Sequence, residues 1–390
     1  MMNTETSGRV DLVDSLRGFA ILGILLMHSI EHFNFYLYPT IENEWLALSD
    51  TILNSSLRFA LSGKVYTIFS LLFGFSFFIQ DNNQLKKGYD FRLRFLWRLV
   101  LLAMWGFINV MFYTGDVLVL FAFVGLLLLA TARLSNKAVL CIAVVLLLQP
   151  VEWGKIIYTL MNPDFVWGDS ISWQYYLETA PVLKDGNLWE TMKMGLTSGI
   201  GFGFGWWIED GRVFQIAGLF LIGMLMGRRG IFLDTPQNIR FWKRTLVIGV
   251  LCYFPLAGLH TILMGFIENK SIHHFADIIL TCYSCFAFFT FLTSLFVLAY
   301  YRTNFHNLLT KLAPYGKMSL TMYLSQSILG GFVFHNWGLG LYTLSTTATV
   351  GVGLLIFAIQ YTFACWWLKS HKQGPLEYVW GKLMWIGAKR

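Results

Sequence analysis

Ten apolar runs of about twenty residues divide this chain, and a water-soluble fold has too little interior to bury them all. They fall near 17–36, 61–80, 97–114, 117–133, 138–158, 212–228, 243–265, 276–300, 316–335 and 346–368. A run of that length crosses the ~30 Å hydrocarbon core as a helix, whose backbone polar groups are satisfied within the segment. Of 390 residues 56% are hydrophobic and only 13% charged, too few charges to coat a soluble surface. These features predict an all-α polytopic transmembrane helical bundle of about ten spans. Without a linker or an internal repeat to divide it, 1–390 reads as a single integral-membrane domain.

Charge placement orients the bundle. The connection 37–60 carries Glu42, Glu44 and Asp50, whereas 81–96 carries Lys86, Lys87, Arg92 and Arg94. By the positive-inside rule, roughly 22 of the 29 Lys and Arg residues fall in the cytoplasm if both termini do. The acidic loop 161–190 then lies outside. The segment 191–210 is apolar enough for an eleventh span, but its alternating glycines weaken a helix. A re-entrant or interfacial segment fits the charge pattern better. Acidic residues precede the first apolar run and no small-residue cleavage site follows it, so the first helix is expected to stay. Basic loops facing inward suit a bacterial plasma membrane. The five cysteines all lie in apolar stretches, where even the C-x-x-C of Cys282 and Cys285 reads as packing.

The first of these runs carries a track of ionisable groups to depth. Asp14, Arg17, His28, Glu31 and His32 all lie in or beside it, and such groups inside a membrane are costly. Arg17 and His28 are eleven residues apart, about 16 Å of helical rise and about 20° of rotation, so they share a face. Asp14, three residues before Arg17, can partner it. A neutral imidazole at His28 can accept a proton from an attacking hydroxyl, or the histidine can simply pack against a neighbouring helix. His28, Glu31 and His32 also spell H-x-x-E-H, a zinc-protease pattern, but with no third ligand in view no metal is expected. Glu31 and His32 at the outer end are either solvated or available to a substrate.

Further along, Tyr113, Thr114, Gly115 and Asp116 join two runs. Asp116 is either a helix cap or a carboxylate facing the outer mouth of a site, with Asn109 one turn inward to support it. Glu209, Asp210 and Arg212 mark the start of another run, where Arg212 can contribute to an acceptor-binding rim. His260, Asp277, Gln326, His335 and Asn336 are weaker candidates.

Several of these stretches resemble one family. VDSLRGFAILGILLMHSIEHFNF is similar to the opening helix of the YeiB-like membrane proteins, catalogued as a domain of unknown function. KVYTIFSLLFGFSFF from Lys64, RLVLLAMWGFINVMFYTGDVLVLFAFVGLLLL from Arg98, YGKMSLTMYLSQSI from Tyr315 and GPLEYVW from Gly374 agree in the same order. The family is grouped with transmembrane acyltransferases that include the lysosomal heparan-glucosaminide acetyltransferase and bacterial surface-sugar O-acetylases. In the O-acetylases an arginine and a histidine separated by ten residues on the first helix are functional, a spacing that Arg17 and His28 reproduce. YeiB-like sequences often carry asparagine where His28 stands and histidine where Asn109 stands. Either the two polar groups have exchanged places or this subgroup does different chemistry.

The resemblance implies an acyl group, acetyl in the first instance, moved from cytoplasmic acetyl-CoA or another acyl-CoA to an extracytoplasmic glycan-like acceptor. Arg17 and Asp14 would hold the donor. His28, with Asp116 and Asn109, would carry the catalysis, while Glu31, His32 and Arg212 would contact the acceptor. Membrane lipids and a second copy of the chain are the other expected partners, and nucleic acid is not. A transporter of a small solute or lipid component using the same polar track is the alternative, since intramembrane charges occur in both classes.

Overall fold

A computed structural model describes residues 11–31, 33 and 39–387, and among them there is no β-strand. The chain runs through α1 (Asp11–Glu31), α2 (Glu44–Leu61), α3 (Val65–Lys86), α4 (Arg92–Val110) and α5 (Leu118–Thr131). Next come α6 (Asn136–Leu147), α7 (Pro150–Met161), α8 (Ile171–Asp185), α9 (Leu188–Met194), α10 (Ile200–Glu209) and α11 (Arg212–Arg228). The last third contains α12 (Pro236–Phe266), α13 (Lys270–Arg302), α14 (His306–Thr310), α15 (Ala313–Lys317), α16 (Ser319–Phe334), α17 (Thr346–Trp367) and α18 (Pro375–Met384). Starts follow local chemistry: Asn43, Ser135, Ser170, Thr235 and Ser345 each accept a backbone N–H of the first turn, and Asn187 with Glu190 forms a capping box.

Ten or eleven spans prove too many. Among the described residues six stretches are long and apolar enough to cross a membrane: Asp11–Glu31, Glu44–Lys86, Arg92–Val110, Pro236–Phe266, Lys270–Arg302 and Thr346–Trp367. Two bent pairs raise the number to at most eight. The difference is geometric, because an apolar run need not be one straight helix. The run 117–133 forms only the 14 residues of α5, about 21 Å of rise, and 316–335 is divided between α15 and α16. The run 138–158 breaks by 46° between α6 and α7.

That break sits at Gln149, a non-glycine residue in the left-handed region at φ 56°, followed by Pro150 in the first turn of α7. The second bent pair joins Leu188–Glu209 to α11 at 72°, through Gly211 at φ 65°, a conformation glycine adopts without a Cβ clash. The two breaks meet: the Gln149 side-chain amide donates to the Gly211 carbonyl at 3.1 Å. The glycine-rich 191–210 is helical as far as Glu209, with a π-helical turn at Gly195–Gly199, and its bend into α11 is that of a broken span or a re-entrant segment.

At the centre is α1, packed by α2, α3, α15, α16 and α17. It approaches α15 backbone to backbone, since a Cβ on Gly316 would stand 1.8 Å from the Asp14 carbonyl oxygen. Small residues at such crossings are how membrane helices gain close packing. By contrast, α12 lies at the periphery, mainly against α13.

Candidate functional site

Two cavities lie along one face of α1. The larger, about 340 Å³, is lined by Arg17, Ser76, Gln80, Arg98, Lys317 and residues of α18, among others. The smaller, about 220 Å³, is lined by His28, Glu31, Tyr66, Tyr113, Trp206 and Arg212, among others. Tyr323 lines both, and the adjacent Val117 and Leu118 face one each. The expected shared face of Arg17 and His28 therefore resolves into two chambers with a common wall.

In the smaller cavity the His28 ring stacks on Tyr113 at 4.2 Å between centroids and meets Phe33 and Tyr323 edge-on at 6.0 and 6.4 Å. Aromatic walls hold the imidazole in one orientation. Glu31 accepts from Arg58 at 2.9 Å, and Arg58 is itself held by Asn54 at 2.6 Å. Arg212 donates to the Tyr66 hydroxyl, which donates to Gln215. The guanidinium lies 5.0 Å from the Tyr66 ring and 5.1 Å from that of Trp206, so it is sandwiched by cation–π contacts. Asp210 stands 3.6 Å away. Thus His28, Glu31 and Arg212 converge on one space, although Arg212 is 184 residues from His28 in the chain (212 − 28). His32 lies outside the described residues.

Asn109 and Asp116 sit elsewhere. The Asn109 amide donates to one Asp116 oxygen at 2.9 Å, and the other accepts the Val119 N–H at 3.0 Å. Both side chains are buried, and the cavity wall is made instead by their neighbours Gly115 and Val117. The carboxylate caps α5 from behind that wall rather than facing the outer mouth, because the orphan N–H groups at the start of α5, Val119 among them, draw it inward. In the larger cavity Arg17 donates to Asp14 at 2.9 Å and to Ser76 at 3.1 Å, so Asp14 neutralises the arginine rather than reaching a ligand itself.

The weaker candidates separate from the site. Glu209 accepts from Ile171 and Ser172 N–H and from the hydroxyls of Ser170 and Ser172, capping α8 rather than the helix that follows it. His260 and Asp277 pair with each other at 2.8 Å between α12 and α13. Asn336 donates to the Asp185 carbonyl. Gln326 is fully buried one turn beyond Tyr323, with neither amide atom hydrogen-bonded among the described residues. Cys282 and Cys285 are buried and unbridged, and among the described residues no group of three or more His, Cys, Asp or Glu is placed to hold a metal ion.

Sequence reasoning missed Tyr66, Tyr113 and Tyr323, for which 17 tyrosines offered no discrimination. It also missed Arg98, whose signal was present: like Arg17, it is an arginine inside an apolar run.

With this geometry in place, likeness to known proteins becomes informative. Residues 226–387 match the family described as "Protein of unknown function (DUF418)". Over nearly the full length, the chain is 25% identical to the "Uncharacterized protein YxaH" of Bacillus subtilis, covering 97% of this chain and 94% of that one. It is 26% identical to the "Uncharacterized protein YeiB" of Escherichia coli, with 95% of each covered. The chain is thus similar to YeiB-like proteins along nearly its whole length, and to the DUF418 family over residues 226–387. A third relative, the "Uncharacterized 39.9 kDa protein in amylase 3'region" of Bacillus acidopullulyticus, is 27% identical over 95% of this chain and 92% of its own. No solved structure matches. The names of these relatives assign no activity, so any function must be argued from the cavities.

Proposed function

We propose that the chain is a transmembrane acyltransferase that passes an acyl group, acetyl in the first instance, from cytoplasmic acyl-CoA to a hydroxyl of a glycan-like acceptor on the opposite face. The observation that carries this is the pair of cavities along α1 separated by Tyr323. One chamber holds cations suited to an anionic donor, and the other holds an imidazole framed by hydroxyls. The positive-inside rule applied to the basic connections supports an orientation with the larger chamber on the cytoplasmic side, and a bacterial plasma membrane suits that orientation.

In this scheme the thioester reaches along α1 to the Tyr323 wall. The acceptor oxygen attacks the thioester carbonyl as His28 takes the hydroxyl proton; the C–S bond breaks and the thiolate leaves, receiving that proton from His28. Alternatively, a His28 ring nitrogen attacks the thioester carbonyl and expels the thiolate; the acceptor hydroxyl then takes the acyl group, the acyl–nitrogen bond breaks, and the hydroxyl proton passes by way of the freed imidazole to the thiolate. Arg58 fixes Glu31, and Tyr66 with Trp206 fixes Arg212, so both charged groups face the acceptor without rearrangement. Asn109 and Asp116 act as positioning residues, holding the Gly115–Val117 wall against which the imidazole stands.

Purified protein in nanodiscs with radiolabelled acetyl-CoA tests this directly. Slow thioester hydrolysis is expected, falling about 100-fold or more in His28→Ala. Absence of acetyl-CoA binding, or hydrolysis unchanged in the variant, would overturn it. Transport of a small solute or lipid component is favoured by a different observation: the two broken helix pairs meet at Gln149 and Gly211, as discontinuous helices do in many transporters. Solute flux into proteoliposomes without thioester consumption would put that function first.

A further inference from the structure

The larger cavity contains a cation, Arg98, to which the scheme above gives no individual role. Arg98 projects from the middle of α4, with its guanidinium 4.7 Å from the Trp380 ring and 5.9 Å from those of Phe73 and Phe95. Its Nη1 is buried and, among the described residues, has no hydrogen-bond acceptor. The indole N–H of Trp380 beside it is buried and unsatisfied in the same way. No described carboxylate lies within ion-pair distance of Arg98, whereas Arg17, Arg58, Arg133 and Lys155 each have one at 2.5–2.9 Å. Burying a cation and two donors without acceptors is costly, and native structures keep such groups where something else satisfies them.

The rest of the lining shows what that would be. Lys317 brings a second positive charge, 3.6 Å from an exposed Asp11. Glu377, the cavity's one described carboxylate, is engaged by the N–H groups of Leu320 and Thr321 and the Thr321 hydroxyl. The helix α18 roofs the space with Glu377, Trp380, Gly381 and Met384 and is itself anchored by Arg94 to the carbonyls of Met384 and Ile386 and by Trp97 to that of Leu383. The cavity's 340 Å³ is at the small end for a ligand pocket, enough for a phosphate or diphosphate group with part of the molecule that bears it.

We propose that this cavity is a phosphate site, in which Arg98 and Lys317 clamp the phosphate or diphosphate of a larger ligand beneath α18, with Trp380 donating a further hydrogen bond. Arginine suits the role because its planar donors match phosphate oxygens. The identification of that ligand as the acyl donor rests on the acyltransferase proposal; the anion chemistry does not. Two sources present this chemistry, a soluble nucleotide-type diphosphate and a phospholipid headgroup.

The test uses the full chain in phosphate-free maltoside micelles, titrated with ADP, coenzyme A and phosphate-free adenosine while tryptophan fluorescence and melting temperature are recorded. ADP and coenzyme A are expected to bind and adenosine not to. Arg98→Met should weaken that binding about 10- to 100-fold, and Lys317→Gln, a milder change at a partly exposed side chain, about 3- to 10-fold. Arg98→Lys should recover part of the loss, which separates lost charge from misfolding. If the soluble ligands fail but phosphatidylglycerol nanodiscs raise the melting temperature of the wild type and not of Arg98→Met, the site stands with a lipid as its source. No phosphate-dependent effect in either arm, or affinities unchanged in both variants, overturns the site. His28-dependent acetyl-CoA hydrolysis that is indifferent to both variants would remove the site and leave the acyltransferase. Arg98-dependent phosphate binding without thioester consumption would do the reverse.

Discussion

Helices α1 and α12 are both apolar enough to span a bilayer, with mean hydropathies of 1.4 and 2.0, yet 78% of the spanning window of α1 is buried inside the protein and only 6% of that of α12. The more polar helix is the one in the middle. In water the opposite ordering holds, because burial is driven by removing apolar surface from solvent. Where lipid is the surrounding solvent, Leu251 and Phe254 of α12 can face outward at no cost, while Asp14, Arg17, His28 and Glu31 of α1 must find partners inside. The candidate site therefore lies along α1 for the same reason that α1 is central.

The contrast can be broken most forcefully at Asp14. Replacing it with alanine leaves the Arg17 guanidinium partly buried without its carboxylate, and a loss of about 3–5 kcal/mol is expected in unfolding from mixed micelles. Val247→Ala on the outer face of α12 should move the same measurement by less than about 0.5 kcal/mol. Equal effects would show that burial in this bundle does not sort the helices.

Packing sharpens the comparison at smaller scale. Gly316→Ala forces a Cβ into the α1 backbone and should cost about 1–3 kcal/mol, whereas Gly258→Ala in α12 meets nothing within 4 Å and should be neutral or stabilising by up to about 1 kcal/mol. Thermal inactivation of the two variants side by side reads the difference. Smaller again is Glu31→Gln: its ion pair with the partly exposed Arg58 is expected to contribute about 0–1 kcal/mol to stability. Its effect on acetyl-CoA turnover should exceed its effect on melting, and the reverse ranking would remove Glu31 from the site.

The smallest effect lies outside the spans. Hydrogen bonds from the Arg92 side chain and backbone hold the Asp90 carboxyl down to about 2. A depressed carboxylate stabilises the fold above its unfolded-state value and loses that contribution as pH falls, here between about pH 4 and pH 2. Melting curves of Asp90→Asn should lack this part of the acid loss, though at so exposed a position the difference will be slight.

Several features were legible in the residues alone. Helicity and membrane residence followed from run length, and the need for the charges of the first helix to find partners followed from the cost of burying them. The Asp14–Arg17 contact followed from a three-residue spacing, a local relation that helical geometry imposes. The number of spans did not follow, because hydropathy measures the composition of a run and is blind to the bends at Gln149 and Gly211 that divide it. Nor did the side on which Asp116 lies, since capping a helix and facing a cavity demand the same residue.

Sequence by itself thus determined the solvent this chain lives in and the segment that carries ionisable groups into it, because both depend on composition summed along a single helix. Only the tertiary structure decided that Arg17 and His28 open into separate chambers, that Arg212 joins Glu31, and that Arg98 meets Trp380 from the far end of the chain. Those relations depend on which faces of distant helices come together, and that is settled by close packing rather than by any local preference.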